Sequence, residues 1–232
     1  MNRFLLLGCA VASLGCEDIS GSTTLDAPDP ITGDYTFNEI DIFLDLFFTD
    51  RDDGGAGQQA LTKWLSSILL VPSDQVTAED TATIREVTDN INCAAGRELI
   101  RVAEGSGNLS FDFVPASTLG AAAGHTDLSW NSFHRIVSGR IRIAEELPTL
   151  LKQATIRHEL MHSLGPLGHV QFGLSALKQG AGITSFSPLD EALIEMLYTP
   201  GIQPGMSRDE AFDVLRVLAR PARDCAEGEA DE

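Results

Sequence analysis

His158 and His162 stand four residues apart, with Glu159 directly after the first. On a helix that spacing stacks both imidazoles on one face, one turn apart, so their nitrogens can reach a single ion. Glu159 can then reach a water on that ion without being a ligand itself. H-E-x-x-H therefore offers two nitrogen ligands and a carboxylate base, a set suited to zinc and to hydrolysis by an activated water. The plain alternative is a helix carrying two unrelated histidines. Gly165 follows where the helix should end, in a position that favours a left-handed turn. His169 comes just after the turn Pro166-Leu167-Gly168.

The run H-E-L-M-H-S-L-G-P-L-G-H, residues 158–169, resembles the metzincin signature H-E-x-x-H-x-x-G-x-x-H. Here the residue three after Gly165 is Gly168, and His169 follows it. A second run, S-P-L-D-E-A-L-I-E-M-L-Y at 187–198, resembles the S-x-x-D-x-x-A-I-x-x-L-Y helix after the Met-turn of matrixin and astacin-like enzymes. Residues 186–190, Leu197, Tyr198, Pro200, Pro204, Gly205 and Met206 also resemble an uncharacterised bacterial family of secreted, metzincin-like proteins. The likeness spans residues 58–218 and is densest over 155–218.

The resemblance implies an α+β, metzincin/zincin-like fold: a twisted mixed sheet packed on two long helices, with a small C-terminal helical subdomain. It implies a zinc metallopeptidase in which His158, His162 and His169 hold Zn2+ and Glu159 is the general base. The substrate would be a peptide or protein, met by an edge strand in residues 116–138. Other options stay open. An acid on the later helix, Glu191 or Glu195, could replace His169, with Asp190 as a cap or buttress. His125 and His134 are spare ligands or plain surface histidines. Tyr198 could donate a hydrogen bond in the site or simply pack. No Met lies between His169 and Ser187, so Leu174, Leu177 or Ile183 would supply the apolar floor beneath the metal. Two rival functions remain: a catalytically silent, lipid-anchored binding protein on a vestigial metalloprotease fold, and a metal-free surface lipoprotein.

The chain has 232 residues, 43% hydrophobic and 22% charged, which suits one globular domain with a small appendage. A net charge of −18 argues against nucleic acid and anionic lipid surfaces as partners. Residues 1–15 read as a secretory signal peptide, too short in its apolar run to span a membrane. Ser13-Leu14-Gly15-Cys16 resembles a bacterial lipobox, so Cys16 is a candidate for lipidation and the membrane partner would be reached through that anchor. Ordinary cleavage and free secretion are the alternative. The expected organisation is a flexible tether at 16–34, an N-terminal zincin subdomain at 35–169, a C-terminal subdomain at 170–226 and an acidic tail at 227–232. The expected location is the bacterial cell envelope, lipid-anchored or secreted, and the expected state a monomer. Cys93 and Cys225 remain as an even pair in an oxidising compartment, either a disulfide or two buried thiols.

Several elements must position these residues. Phe37, Ile40, Phe43 or Leu44, and Phe47 recur at helical spacing over 35–48. Residues 50–57 are acidic and glycine-rich but lack the Gly and Glu of an EF-hand loop, so they read as a polar turn. Strands are expected at 61–71, 98–103, 109–114 and 136–143, with 116–130 as small-residue loop. Thr77 and Asp80 open a helix over 77–95, and Gly96 stops it. The motif helix should cover 149–164, and two more helices should follow, at 191–198 and from 207 to about 219, the latter with Ala211, Val214, Leu215 and Leu218 inward.

Overall fold

Period-two alternation in Leu109–Val114 buries Leu109, Phe111 and Phe113 and leaves Ser110 and Asp112 at the other face. That strand, β3, is the middle of a five-stranded sheet. The structure, a computed structural model, describes residues 31–48 and 58–221. Beside β3 run β1 (Ile68–Pro72) and β5 (Ile136–Ala144), with β2 (Ile100–Val102) outside β1 and β4 (Gly124–Trp130) outside β5. The order is β2-β1-β3-β5-β4. Four strands are parallel, and β4 runs antiparallel to β5 at the edge. The protein is therefore α+β with a mixed sheet.

Five helices are present among the described residues: α1 (Phe37–Phe48), α2 (Ala78–Ala95), α3 (Thr149–His162), α4 (Pro188–Tyr198) and α5 (Arg208–Leu215). Helices α2 and α3 pack on each other, and α3 also lies against β4 and β5. Helix α4 packs on α2, and α1 bridges α4 and α5. Their starts follow the sequence closely. Thr77, Ser187 and Ser207 each form a reciprocal capping box with Asp80, Asp190 and Glu210 respectively. Gly96 ends α2 in the left-handed conformation.

Four expectations need correction. Residues 116–130 hold a full strand, β4, as well as a short 3-10 turn at Ala116–Thr118. Its side chains are half-buried or exposed throughout, so it lacks the apolar alternation that marks a strand facing a core. The strand expected at 61–71 begins only at Ile68. Before it, Leu61 exchanges backbone hydrogen bonds with Gly205 and Met206, and the Trp64 indole donates to the Ser163 carbonyl. Phe37 is 60% exposed, while Ile40, Phe43, Leu44 and Phe47 are buried as expected. Helix α5 ends at Leu215, although Leu218 still packs against the core.

The expected leader, the candidate lipidation residue Cys16, most of the expected tether, the expected polar turn at 50–57, Cys225 and the acidic tail lie outside the described residues. Cys93 is disulfide-bonded. No helix among the described residues is long and apolar enough to cross a membrane.

Candidate metal centre

Helix α3 presents His158 and His162 on one face, and the chain returns after Gly165 to bring His169 to the same point. The three Nε2 atoms converge: 3.1 Å between His158 and His162, and 3.3 Å from His169 to each. Two donors about 2.0–2.1 Å from a tetrahedral ion stand roughly 3.3 Å apart, so the spacing fits one first-row cation. Among the described residues this is the one cluster of three or more His, Cys, Asp or Glu side chains able to hold a metal ion.

The opposite ring nitrogens are committed. His158 Nδ1 donates to the Ala176 carbonyl at 2.7 Å, and His162 Nδ1 to the Pro166 carbonyl at 2.9 Å. A proton on each Nδ1 leaves the Nε2 lone pair facing the centre, the tautomer that a ligand needs. Burial favours the neutral rings, pushing His158 down to about 4 and His162 to about 3.

The turn between the second and third histidines explains how one additional residue is absorbed. Gly165 has φ +130°, and a Cβ there would lie 2.6 Å from the Thr62 carbonyl oxygen. The Leu167 and Gly168 amides both donate to the Leu46 carbonyl near the end of α1, at 3.1 and 3.2 Å. The turn is thus fastened to α1, and His169 emerges from it with Nε2 at the centre.

Asp190, fully buried at the start of α4, holds the far wall. It accepts from the Ser175 hydroxyl, the Ala176 amide, and the Ser187 amide and hydroxyl. Ala176 is the residue whose carbonyl orients His158. A chain of hydrogen bonds therefore runs from α4 through Ala176 to His158, and Asp190 buttresses that candidate ligand.

Glu159 is 4% exposed. Burial, and then the Asp127 carboxylate, pushes its carboxyl up to about 7, against the opposing hydrogen bond from Thr126. Its Oε2 accepts from the Thr126 hydroxyl at 2.7 Å. At Gly124 a Cβ would lie 2.7 Å from both Cγ and Oε1 of Glu159, so the absence of a side chain there lets β4 lie against the carboxylate.

These groups open into a cleft of about 510 Å³, bounded by β4 and the loop before it on one side and by residues 178–183 on the other. The phase of the β4–β5 ladder is set by the Ala144 amide donating to the Ala123 carbonyl. Alternation then turns the backbone N–H and C=O groups of Gly124, Thr126 and Leu128 off the sheet edge, on the cleft side. An extended chain could pair there.

The other candidates stand apart from the cluster. Glu195 accepts from the Tyr35 hydroxyl and lies near Arg220; neither it nor Glu191 belongs to the three-ligand group. His125 lines the cleft, but its Nε2 is 3.1 Å from Asp127 Oδ1, outside the cluster. His134 sits in a tight turn with φ 57°. Tyr198 is packed beneath Lys63 and Arg97, its hydroxyl buried and unpartnered, as a structural residue. Of the three residues considered for the apolar floor, Leu177 is buried and Leu174 is 70% exposed. Thr126, Gly124 and the Ala176 carbonyl were not legible as site groups. A backbone carbonyl leaves no signature in a sequence, and Thr126 lies in a stretch that reads as loop.

Fold and site together define an α+β protein with a three-histidine centre and an adjacent carboxylate in an open cleft. The chain belongs to the family described as "Protein of unknown function (DUF2927)", whose model matches residues 39–217. No curated protein matches the chain.

Proposed function

We propose that the protein is a zinc-dependent endopeptidase with a metzincin-like fold. The observation that carries this reading is the convergence of three imidazoles, two of them with their tautomer fixed by backbone carbonyls, beside a buried carboxylate, in a cleft flanked by an open strand edge. The antiparallel edge strand next to the motif helix supports the finer fold assignment. His158, His162 and His169 would hold the zinc. Zinc bound there would supply Lewis acidity, acidifying a water and polarising a peptide carbonyl. Glu159 takes the proton of the attacking water and passes it to the leaving amine. Its raised proton affinity suits both halves of that exchange near neutral pH. The edge groups of Gly124, Thr126 and Leu128 bind the substrate as an added strand, which aligns its carbonyl over the centre. We further propose a position in the bacterial envelope with Cys16 as the lipid anchor. The disulfide at Cys93 supports an oxidising compartment.

Zinc content of the full chain, with peptide-library cleavage measured in parallel, tests the reading. One zinc per chain is expected, with cleavage that falls by about 10²–10⁴-fold in Glu159→Gln while the zinc is retained. Zinc without cleavage of any peptide would favour the silent binding protein. No metal would overturn the proposal.

A further inference from the structure

Thr126 has two aspects. Its backbone faces the cleft at the edge of β4, while its side chain turns beneath the strand to Glu159. The hydroxyl lies 2.7 Å from Glu159 Oε2 and 3.1 Å from the Glu159 backbone oxygen. It has one proton to donate, and the shorter, charge-assisted contact is the stronger. On the other side of the same carboxylate, Oε1 lies against the bare Cα of Gly124. Helix α3 supplies the backbone of Glu159, but β4 limits where its carboxylate can point.

We propose that Thr126 is the positioning residue for Glu159. The strand that receives the substrate backbone would also set the group that moves the proton, and one residue would do both. This inference rests on the metallopeptidase reading. The residue types available at 126 separate a positional role from a packing role. Valine keeps the shape and the branching at Cβ but has no donor. Serine loses a methyl and keeps the donor. A packing residue is replaced better by Val, and a positioning donor better by Ser.

The test uses the full chain loaded with cobalt(II), whose visible spectrum reports on ligands added at the centre, and acetohydroxamic acid as the probe. That probe binds a metal through two oxygens and gives a proton to a neighbouring carboxylate, so its affinity reads the placement of Glu159 without a known substrate. We expect Thr126→Val to bind one metal per chain but to weaken the hydroxamate about tenfold, and Thr126→Ser to stay within about twofold of wild type. In a Glu159→Gln background, Thr126→Val should have no further effect, because the cycle removes the group it positions. With any peptide that the wild type cleaves, kcat should fall in Thr126→Val while KM holds. Unchanged hydroxamate affinity in Thr126→Val, or a full loss that persists in Glu159→Gln, overturns this inference and leaves the metallopeptidase reading standing. A wild-type chain that binds no metal overturns both.

Discussion

Helix α3 and the return segment after it bring candidate ligands to the same point by different physics. On α3 the placement is intrinsic: His158 and His162 are one helical turn apart, and the backbone ladder of the helix sets their separation. In the return segment nothing regular places His169 or Ala176. Their positions depend on partners elsewhere in the chain. Leu46 of α1 holds the Leu167–Gly168 turn, and Asp190 of α4 holds Ala176. The helix side of the centre should therefore be robust to distant changes, and the return side should inherit the stability of α1 and α4.

Removing ligands gives the largest effect. His158→Ala and His162→Ala should each cost more metal affinity than the roughly 10- to 100-fold typical of a supporting residue. His169→Ala should cost less than either, since it leaves the preformed pair on α3 intact. Competition titration against a chromophoric chelator measures all three. Equal losses would mean that the return segment is as firmly built as the helix.

Asp190→Asn probes the borrowed side without touching a ligand. The carboxylate accepts from two hydroxyls and two amides with no exposure to solvent. An amide in its place turns one acceptor into a donor that faces donors. We expect a weakening of metal binding by roughly 10- to 100-fold through loss of the Ala176–His158 contact. Folding stability should fall by about 1–3 kcal/mol from the unmet groups. Chemical denaturation with and without zinc separates the two. If stability falls and metal affinity does not, Ala176 is held by something other than Asp190, and the comparison between the two sides fails.

The same division decides what could be read from the chain. His158, Glu159 and His162 are legible because one helical period relates them, and the three capping boxes are legible because each needs only a side chain three residues on. The α+β class and most helices follow from such local rules. His169 could be expected only by likeness to a known signature, since its reach depends on a turn pinned to α1. An edge strand within 116–138 is expected only by likeness, and the residues of β4 themselves read as loop. Gly124 and Thr126 lie against the Glu159 carboxylate of α3, and neither is the large apolar residue that a core strand would show, so the pattern that marks a strand is missing. Phe37 shows the reverse failure, fitting the helical period yet lying at a helix start beyond the reach of the core.

Lys63 gives the smallest and most selective test of the borrowed side. It is 3% exposed, and its amine donates to the Leu197 and Ile202 carbonyls at 2.6 and 2.8 Å, which fastens the C-terminal end of α4. Burial, and then the Arg97 charge, lowers its pKa from 10.5 to about 8. A neutral amine keeps two N–H donors, enough for both carbonyls. Between about pH 8 and 10.5 the unfolded chain holds a proton that the native chain has released, so Lys63 adds stability as pH rises through that window. Above pH 10.0, the ordinary tyrosine value, Tyr35 and Tyr198 oppose it. Burial raises both, so the native chain keeps protons that the unfolded chain loses, and stability falls again. From pH 7.5 to 9.5 the lysine contributes on the order of 2 kcal/mol, read as a shift in the denaturant midpoint. Lys63→Met should abolish that rise. Because α4 carries Asp190, the variant should also loosen the metal modestly, by less than Asp190→Asn does. A Lys63→Met chain that keeps the pH-dependent rise would show that the amine stays charged in the fold, and that the end of α4 is held by a cation.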